Sequence, residues 1–401
     1  MHARYVIIGG GLAAASAIEG IRSRDRDGDI LLLSRENHLP YLRAPLSKDV
    51  WRGPYDLEKL SVRDALFYDQ HGVEVRLRRD VVELDAENHV LWDEHGDSVG
   101  FDHALIATGC RPRRLQAMGA ESSGVRYYRD LEDYLDLERR LAHVQHVTIV
   151  GGYFTAVEMA ASLRSRGVEI TMLLPEEYPL HRMLTYDVGQ MLLAQLHALD
   201  VEIVTGESLV EIRETGEFLH ARTRNGNDLT TQLLLADQGG EPQIELAEAS
   251  GLECDGGIVV DEYGRCSRPG LWAAGDVAEF PYLALGQIMR VEGSDHAERH
   301  GRAVGANMAG ANAPYAHVPL KSFQCGELEF EGVGDWSSRL DDQSMWLEPG
   351  REGVVLYLNE DVVRGVLLCN VPERIEWARS LVREARPMSF ADRAALLAPQ
   401  Q

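Results

Sequence analysis

Residues 4–36 read RYVIIGGGLAAASAIEGIRSRDRDGDILLLSRE. An apolar run ends in three glycines, an alanine-rich helical stretch follows, and a second apolar run closes at Ser34. Strand, glycine turn, helix and strand in this order make the β-α-β unit of a dinucleotide-binding fold. Gly9, Gly11 and Ala14 fill the three small-residue positions of G-x-G-x-x-A at the mouth of the helix. The backbone N–H groups of Gly9, Gly10, Gly11, Leu12, Ala13 and Ala14 and the helix dipole there favour a pyrophosphate. Glu36, next to Arg35 just past the second strand, stands where an acid meets a ribose hydroxyl.

The layout returns at residues 146–177, HVTIVGGYFTAVEMAASLRSRGVEITMLLPEE, an internal repeat of a dinucleotide-binding half. Its fingerprint runs Gly151, Tyr153, Ala156, so the middle glycine, whose missing side chain lets the backbone approach the pyrophosphate, is a tyrosine. Such a side chain crowds the pyrophosphate unless the turn shifts. Between the two units, FDHALIATG at 101–109 forms another strand-to-glycine turn, and 130–143 reads as helix. Residues 257–280 close a strand on Gly275-Asp276. Beyond residue 310 the chain turns to short strands (LEFEGVGDW, GVVLYLNE, DVVRGVLLCN) and one amphipathic helix near 373–386. The expected fold class is α/β, with two Rossmann-like dinucleotide-binding domains and a C-terminal α+β domain. Residues 1–112 with 242–312 form the first domain, 113–241 the second and 313–401 the third.

The 401 residues carry a net charge of −24, which argues against nucleic acid and anionic membrane surfaces as partners. No apolar run is long enough to span a bilayer, and no signal peptide is seen ahead of the first strand, so a cytoplasmic bacterial protein is expected. The five cysteines (110, 254, 266, 325, 369) lack C-x-x-C or zinc spacing and read as reduced thiols. On the helix after Gly293, Ser294 reads as the N-cap with Asp295 in the first turn, ending near Met308. His296 and His300 lie four apart there, but without a third ligand nearby they read as an exposed helical face, and no metal is expected.

Residues 39–51, LPYLRAPLSKDVW, together with the glycine-rich start, resemble the family of apoptosis-inducing factor and the bacterial ferredoxin and rubredoxin reductases. These are FAD- and NAD(H)-binding flavoproteins of the glutathione-reductase fold. The resemblance runs through ATG at 107–109, YRDLEDY at 128–134, LLPEE at 173–177, GGEP at 239–242 and VEGSDHA at 291–297. It implies that Arg43, Lys48 and Arg129 hold the FAD pyrophosphate or flank the isoalloxazine, and that Asp276 holds the ribityl and phosphate region. It adds Val82, Thr108, Gly109, Gly293 and Ser294 to the FAD site. Lys48 and Glu158 match a buried ion pair beside flavin N5, in which the carboxylate keeps the lysine charged and the lysine stabilises electron density arriving on the ring. Phe154 falls at the aromatic lid over the flavin. Gly151, Gly152, Tyr153, Thr155, Glu158, Glu176, Arg182, Gly239 and Glu292 fall in the nicotinamide-nucleotide site, with Glu241 in the loop that closes over it. Glu176 there favours NADH.

This sequence departs from that family at three places. Tyr153 replaces a glycine, Gly293 stands for a histidine, and Ser322 falls where a flavin-facing tryptophan is expected. The implied activity is electron transfer from NADH, weakened by Tyr153, through FAD to an iron–sulfur protein of the ferredoxin type, a quinone or oxygen, in a homodimer. Docking of an acidic ferredoxin would need a basic patch, for which Arg76–Arg79 and Arg111–Arg114 are the dense candidates, both reading as ordinary surface charge. Two alternatives stay open: a flavin oxidase or dehydrogenase acting directly on an organic substrate, and a slow NADH-responsive flavoprotein switch.

Overall fold

The computed structural model describes residues 1–397, and the chain divides into two compact units. The first comprises Met1–Leu42, Asp56–Arg111 and Glu241–Lys321. The second comprises Arg43–Tyr55, Pro112–Gly240 and the chain from Ser322 onward.

In the first unit the strand His2–Ile8 lies at the centre of a parallel ladder. Ile30–Ser34 and then Val73–Leu77 extend it on one side, Ser98–Ile106 and Leu271–Ala273 on the other. The register sets Ile7 opposite Leu32 and Leu105, all three buried. Strands covered on both faces read as unbroken apolar runs rather than alternation, which is why ILLL and YVII are so legible. The antiparallel pair Val81–Asp85 and Val90–Asp93 completes this sheet.

Two helices of this unit pack closely, Leu12–Arg22 against Ser294–Met308. Small residues permit the approach: a Cβ added at Gly301 would stand 2.2 Å from the Ala13 carbonyl oxygen, and one at Gly305 2.1 Å from that of Ala17. The second helix corrects two expectations. Its N-cap is Gly293, at φ +143°, and Ser294 is its first helical residue. His296 and His300 do not face solvent; both are buried in an aromatic cluster with Phe280 and Tyr315. His296 Nδ1 pairs with the Tyr315 hydroxyl at 3.1 Å, and the Gly275 N–H donates to His300 Nδ1 at 3.3 Å. Desolvation holds both imidazoles neutral, lowering His296 to about 3 and His300 well below its ordinary value.

The second unit holds five parallel strands in the order Glu202–Thr205, Glu169–Leu174, His146–Val150, Leu233–Ala236, Val125–Tyr127. The helix Phe154–Ser165 joins His146–Val150 to Glu169–Leu174 as Leu12–Arg22 joins the first pair, so the sequence repeat is a structural one. The C-terminal part is a five-stranded sheet in the order Leu320–Cys325, Leu328–Gly334, Val362–Cys369, Glu352–Asn359, Asp341–Glu348, followed by the helix Ile375–Glu384. Leu320–Cys325 and Asp341–Glu348 were not expected. The latter, DDQSMWLE, is a charged edge strand, and edge strands carry charge because one side of their backbone is left unpaired. Among the described residues, no helix is long and apolar enough to cross a membrane, and all five cysteines are free.

Candidate active site

The first glycine turn is an open cradle. Gly9 sits at φ +127°, and a Cβ there would stand 2.2 Å from the Ala107 carbonyl oxygen, so only glycine fits. A Cβ at Gly10 would meet the Ser34 hydroxyl at 2.2 Å. Gly11 is different: its φ of −100° suits any residue, and a Cβ there would meet nothing within 4 Å. Gly11 caps the Leu12–Arg22 helix without a side-chain hydrogen bond. Space at Gly11 and an uncapped helix N-terminus are what a pyrophosphate needs, so these residues fit FAD.

The other first-unit residues gather at the ends of the same strands. Glu36 accepts from the Tyr41 hydroxyl at 2.6 Å. Arg35 donates to Gln243 Oε1 at 2.6 Å, while Gln243 bridges back to Thr108, whose hydroxyl donates to the Gln243 carbonyl at 2.9 Å. Gly109, at φ +67°, follows with open space around it. The Gly293 N–H donates to Asp276 Oδ1 at 3.3 Å, tying the helix start to the Gly275-Asp276 turn. Ser294 comes next at that helix start, and Val82 is exposed on its strand. Glu292 takes the Arg290 guanidinium at 2.8 Å, and Arg290 also donates to the Asp276 carbonyl and to Cys110 Sγ, each at 3.0 Å.

Within the second unit the structure brings Lys48 and Glu158 together. Lys48 Nζ donates to Glu158 Oε1 at 3.2 Å, with Glu158 only 7% and Lys48 19% exposed at the side chain. The backbone N–H of Gln324 donates to the same oxygen at 3.2 Å, and the Ser47 hydroxyl donates to Oε2. Burial still holds the Glu158 carboxyl above its ordinary range, with Lys48 and Ser47 opposing the shift. The segment that carries Lys48 is itself anchored, since the Trp51 indole and the Tyr128 hydroxyl both donate to the Leu46 carbonyl, at 2.8 and 2.6 Å. Arg43 donates to the Arg129 carbonyl at 3.3 Å.

The second glycine turn repeats the first in backbone but not in contents. Gly151 has φ +121°, and a Cβ there would meet the Asp237 carbonyl oxygen at 1.8 Å, as Gly9 meets Ala107. Tyr153 caps its helix at φ −84°, ψ −175°, close to Gly11 at −100°, −174°. The turn therefore keeps the backbone of its counterpart with a tyrosine in place of the glycine. Its ring lies over Gly239, with ring carbons 3.5–3.6 Å from where a Cβ on that glycine would stand. Asp237 is a residue that sequence reasoning missed. It accepts from the Ala156 N–H at 2.7 Å and from the Gly239 N–H at 3.2 Å. Its signal was available, as an acid in ADQGG where the matching turn of the first half reads IATG.

Around this turn, Gly152 accepts from the Leu180 N–H at 2.8 Å and Thr155 is half-buried in the first helical turn. Phe154 packs on Phe323 and Trp336, at centroid distances of 5.4 and 5.9 Å. Glu176 is half-buried just past its strand, and Arg182 is exposed while its carbonyl accepts from the Ser338 N–H at 3.0 Å. The arginine runs are largely engaged. Arg76 meets Glu74, Arg79 meets Asp93 and Asp97, and Arg111 meets Glu241 and Glu245.

Comparison with known proteins agrees with this architecture. The sequence profile described as pyridine nucleotide-disulphide oxidoreductase matches residues 3–301. The chain is 30% identical to the biphenyl dioxygenase system ferredoxin–NAD(+) reductase component of Paraburkholderia xenovorans (strain LB400), over 94% of this chain and 92% of that protein. It is also 30% identical to apoptosis-inducing factor 1, mitochondrial, of Dictyostelium discoideum, over 96% of this chain and 79% of that one. Among solved structures it superposes on the ferredoxin reductase for the CYP199A2 system from Rhodopseudomonas palustris with a TM-score of 0.90 at 26% identity, covering 98% of this chain and 100% of that one.

Proposed function

The chain belongs to the pyridine nucleotide-disulphide oxidoreductase family and is an FAD-dependent oxidoreductase that uses NADH, and from this premise we propose that its acceptor is an iron–sulfur protein of the ferredoxin type. The observation that carries the reading is the pair of glycine turns, matched at Gly9 and Gly151, each ending a central strand of its own parallel sheet. Support for the acceptor comes from the dioxygenase-system relative, which is named as a ferredoxin–NAD(+) reductase. A cytoplasmic homodimer belongs to the same proposal.

When bound, FAD would supply a two-electron acceptor for NADH and a one-electron donor for the acceptor protein. In our reading, the Gly9–Ala14 turn takes the FAD pyrophosphate on backbone N–H groups, and Glu36 takes the adenine ribose. Asp276, fixed by the Gly293 N–H, orients the ribityl-phosphate region. Arg43 and Arg129 contribute positive charge. Glu158 keeps Lys48 in place, and Lys48 supplies the cation that stabilises negative charge on the reduced ring. Gly151, Gly152, Phe154, Thr155, Glu176 and Gly239 belong to the NADH site, where Glu176 takes the ribose hydroxyls.

Supplying NADH-reduced holoprotein separately with a [2Fe–2S] ferredoxin, a short-chain quinone and oxygen tests the acceptor. The proposal expects the ferredoxin to be reduced fastest. Turnover with quinone or oxygen while the ferredoxin stays oxidised would overturn it. A second reading, a flavin oxidase or dehydrogenase that takes an organic substrate directly, draws on Tyr153 and Asp237 filling the nucleotide turn.

A further inference from the structure

The two halves of the repeat provide an internal control for each other. In the first, the helix N-terminus has no side-chain cap, Gly11 is open, and Ala107 follows the strand alongside. In the second, the equivalent of Gly11 is Tyr153 and the equivalent of Ala107 is Asp237, as the contacts made by a Cβ at Gly9 and at Gly151 show. The Asp237 carboxylate accepts from Ala156 N, one of the helix N-terminal groups that a pyrophosphate would otherwise take, and also from Gly239 N. The Tyr153 ring, 39% exposed, spans to Gly239 across the same turn. The second half thus holds an anion of its own at the positive end of the helix, with the Tyr153 ring over the neighbouring Gly239.

We propose that Asp237 and Tyr153 are affinity-setting residues of the nicotinamide-nucleotide site, a resident carboxylate and ring that the NADH pyrophosphate must displace or share with. The physics is direct. A helix N-terminus stabilises one negative charge within its first turn, and a second anion brought to the same N–H groups meets both a lost donor and like-charge repulsion. The side chain at residue 153 adds a steric barrier but no backbone strain, because its extended conformation suits any residue. Selectivity follows, since ligands presenting a diphosphate to this turn are penalised while FAD at the uncapped first turn is not. This rests on the reading that NADH occupies the Gly151 turn.

The test measures ADP-ribose, which carries the diphosphate but no hydride, by titration calorimetry against the FAD-loaded protein. Asp237→Asn keeps an oxygen that can accept from Ala156 N, so the cap survives while the charge is removed. Interactions of charge with a helix terminus reach about 2 kcal/mol, and 1.4 kcal/mol is a factor of ten. Asp237→Asn is therefore expected to tighten ADP-ribose roughly tenfold, Tyr153→Gly to tighten it independently, and the double variant to combine the two. Unchanged or weaker affinity in both single variants, or no ADP-ribose binding in any variant, would overturn the proposal. Flavin bleaching by NADH is read separately. Tightened ADP-ribose without bleaching would sink the reductase reading and leave this inference standing.

Discussion

At the scale of single residues, the ion pair of Lys48 and Glu158 is the most exacting feature of the second unit. A carboxylate 7% exposed is tolerable only because Lys48, Ser47 and the Gln324 N–H face it. Lys48→Met leaves that charge uncompensated, and at neutral pH the variant should lose about 3 kcal/mol of stability in denaturant unfolding. Adding Glu158→Gln should restore most of it. The folded-state pKa of Glu158 is already raised and rises further in Lys48→Met, so the loss should shrink as pH falls and the carboxyl takes up a proton. A loss that is constant with pH would mean that packing, not charge, is what the lysine supplies. This pair was expected through the family resemblance of the stretches that carry Lys48 and Glu158, not from either residue alone. Asp237 was visible only as an acid in ADQGG; its role rests on a contact to Ala156 across 81 residues that no local pattern encodes.

At the scale of elements, the strands and glycine turns of the two β-α-β units were readable because burial on both faces leaves runs of mostly apolar residues between punctuating glycines. The helix Ser294–Met308 was read correctly at its C-terminal end, one residue late at its start, and wrongly in exposure. Histidine is polar by composition, and only the packing of Phe280 and Tyr315 around it shows that His296 and His300 face inward. That burial has a thermodynamic sign. The folded-state value of His296 falls from 6.5 to about 3, so its contribution is fully present above 6.5 and is lost as pH falls, where the unfolded chain binds the extra proton. Each such histidine costs about 1.4 kcal/mol per pH unit in that window. His296→Phe should flatten the decline of the melting temperature between pH 6.5 and 5, relative to the unaltered chain. An identical decline in both would place the acid sensitivity elsewhere.

At the scale of the whole molecule, a charge of −24 argued against nucleic acid as a partner, and the repeated turn pointed to two dinucleotides. The turn showed that the two copies diverge at Gly11 and Tyr153; what it could not reveal is that the Asp237 carboxylate joins Tyr153 in filling the second. The first accounts for a flavoprotein; the second makes the reductant the point on which the account turns. The measurement that bears on it most directly is an anaerobic titration of the FAD-loaded protein with NADH, followed by flavin absorbance. The account predicts that the flavin bleaches fully, consuming one NADH per FAD but needing an excess of the nucleotide, and that Tyr153→Gly reaches the same end point with less excess NADH. A flavin that stays oxidised at saturating NADH, in both the unaltered chain and Tyr153→Gly, would contradict it.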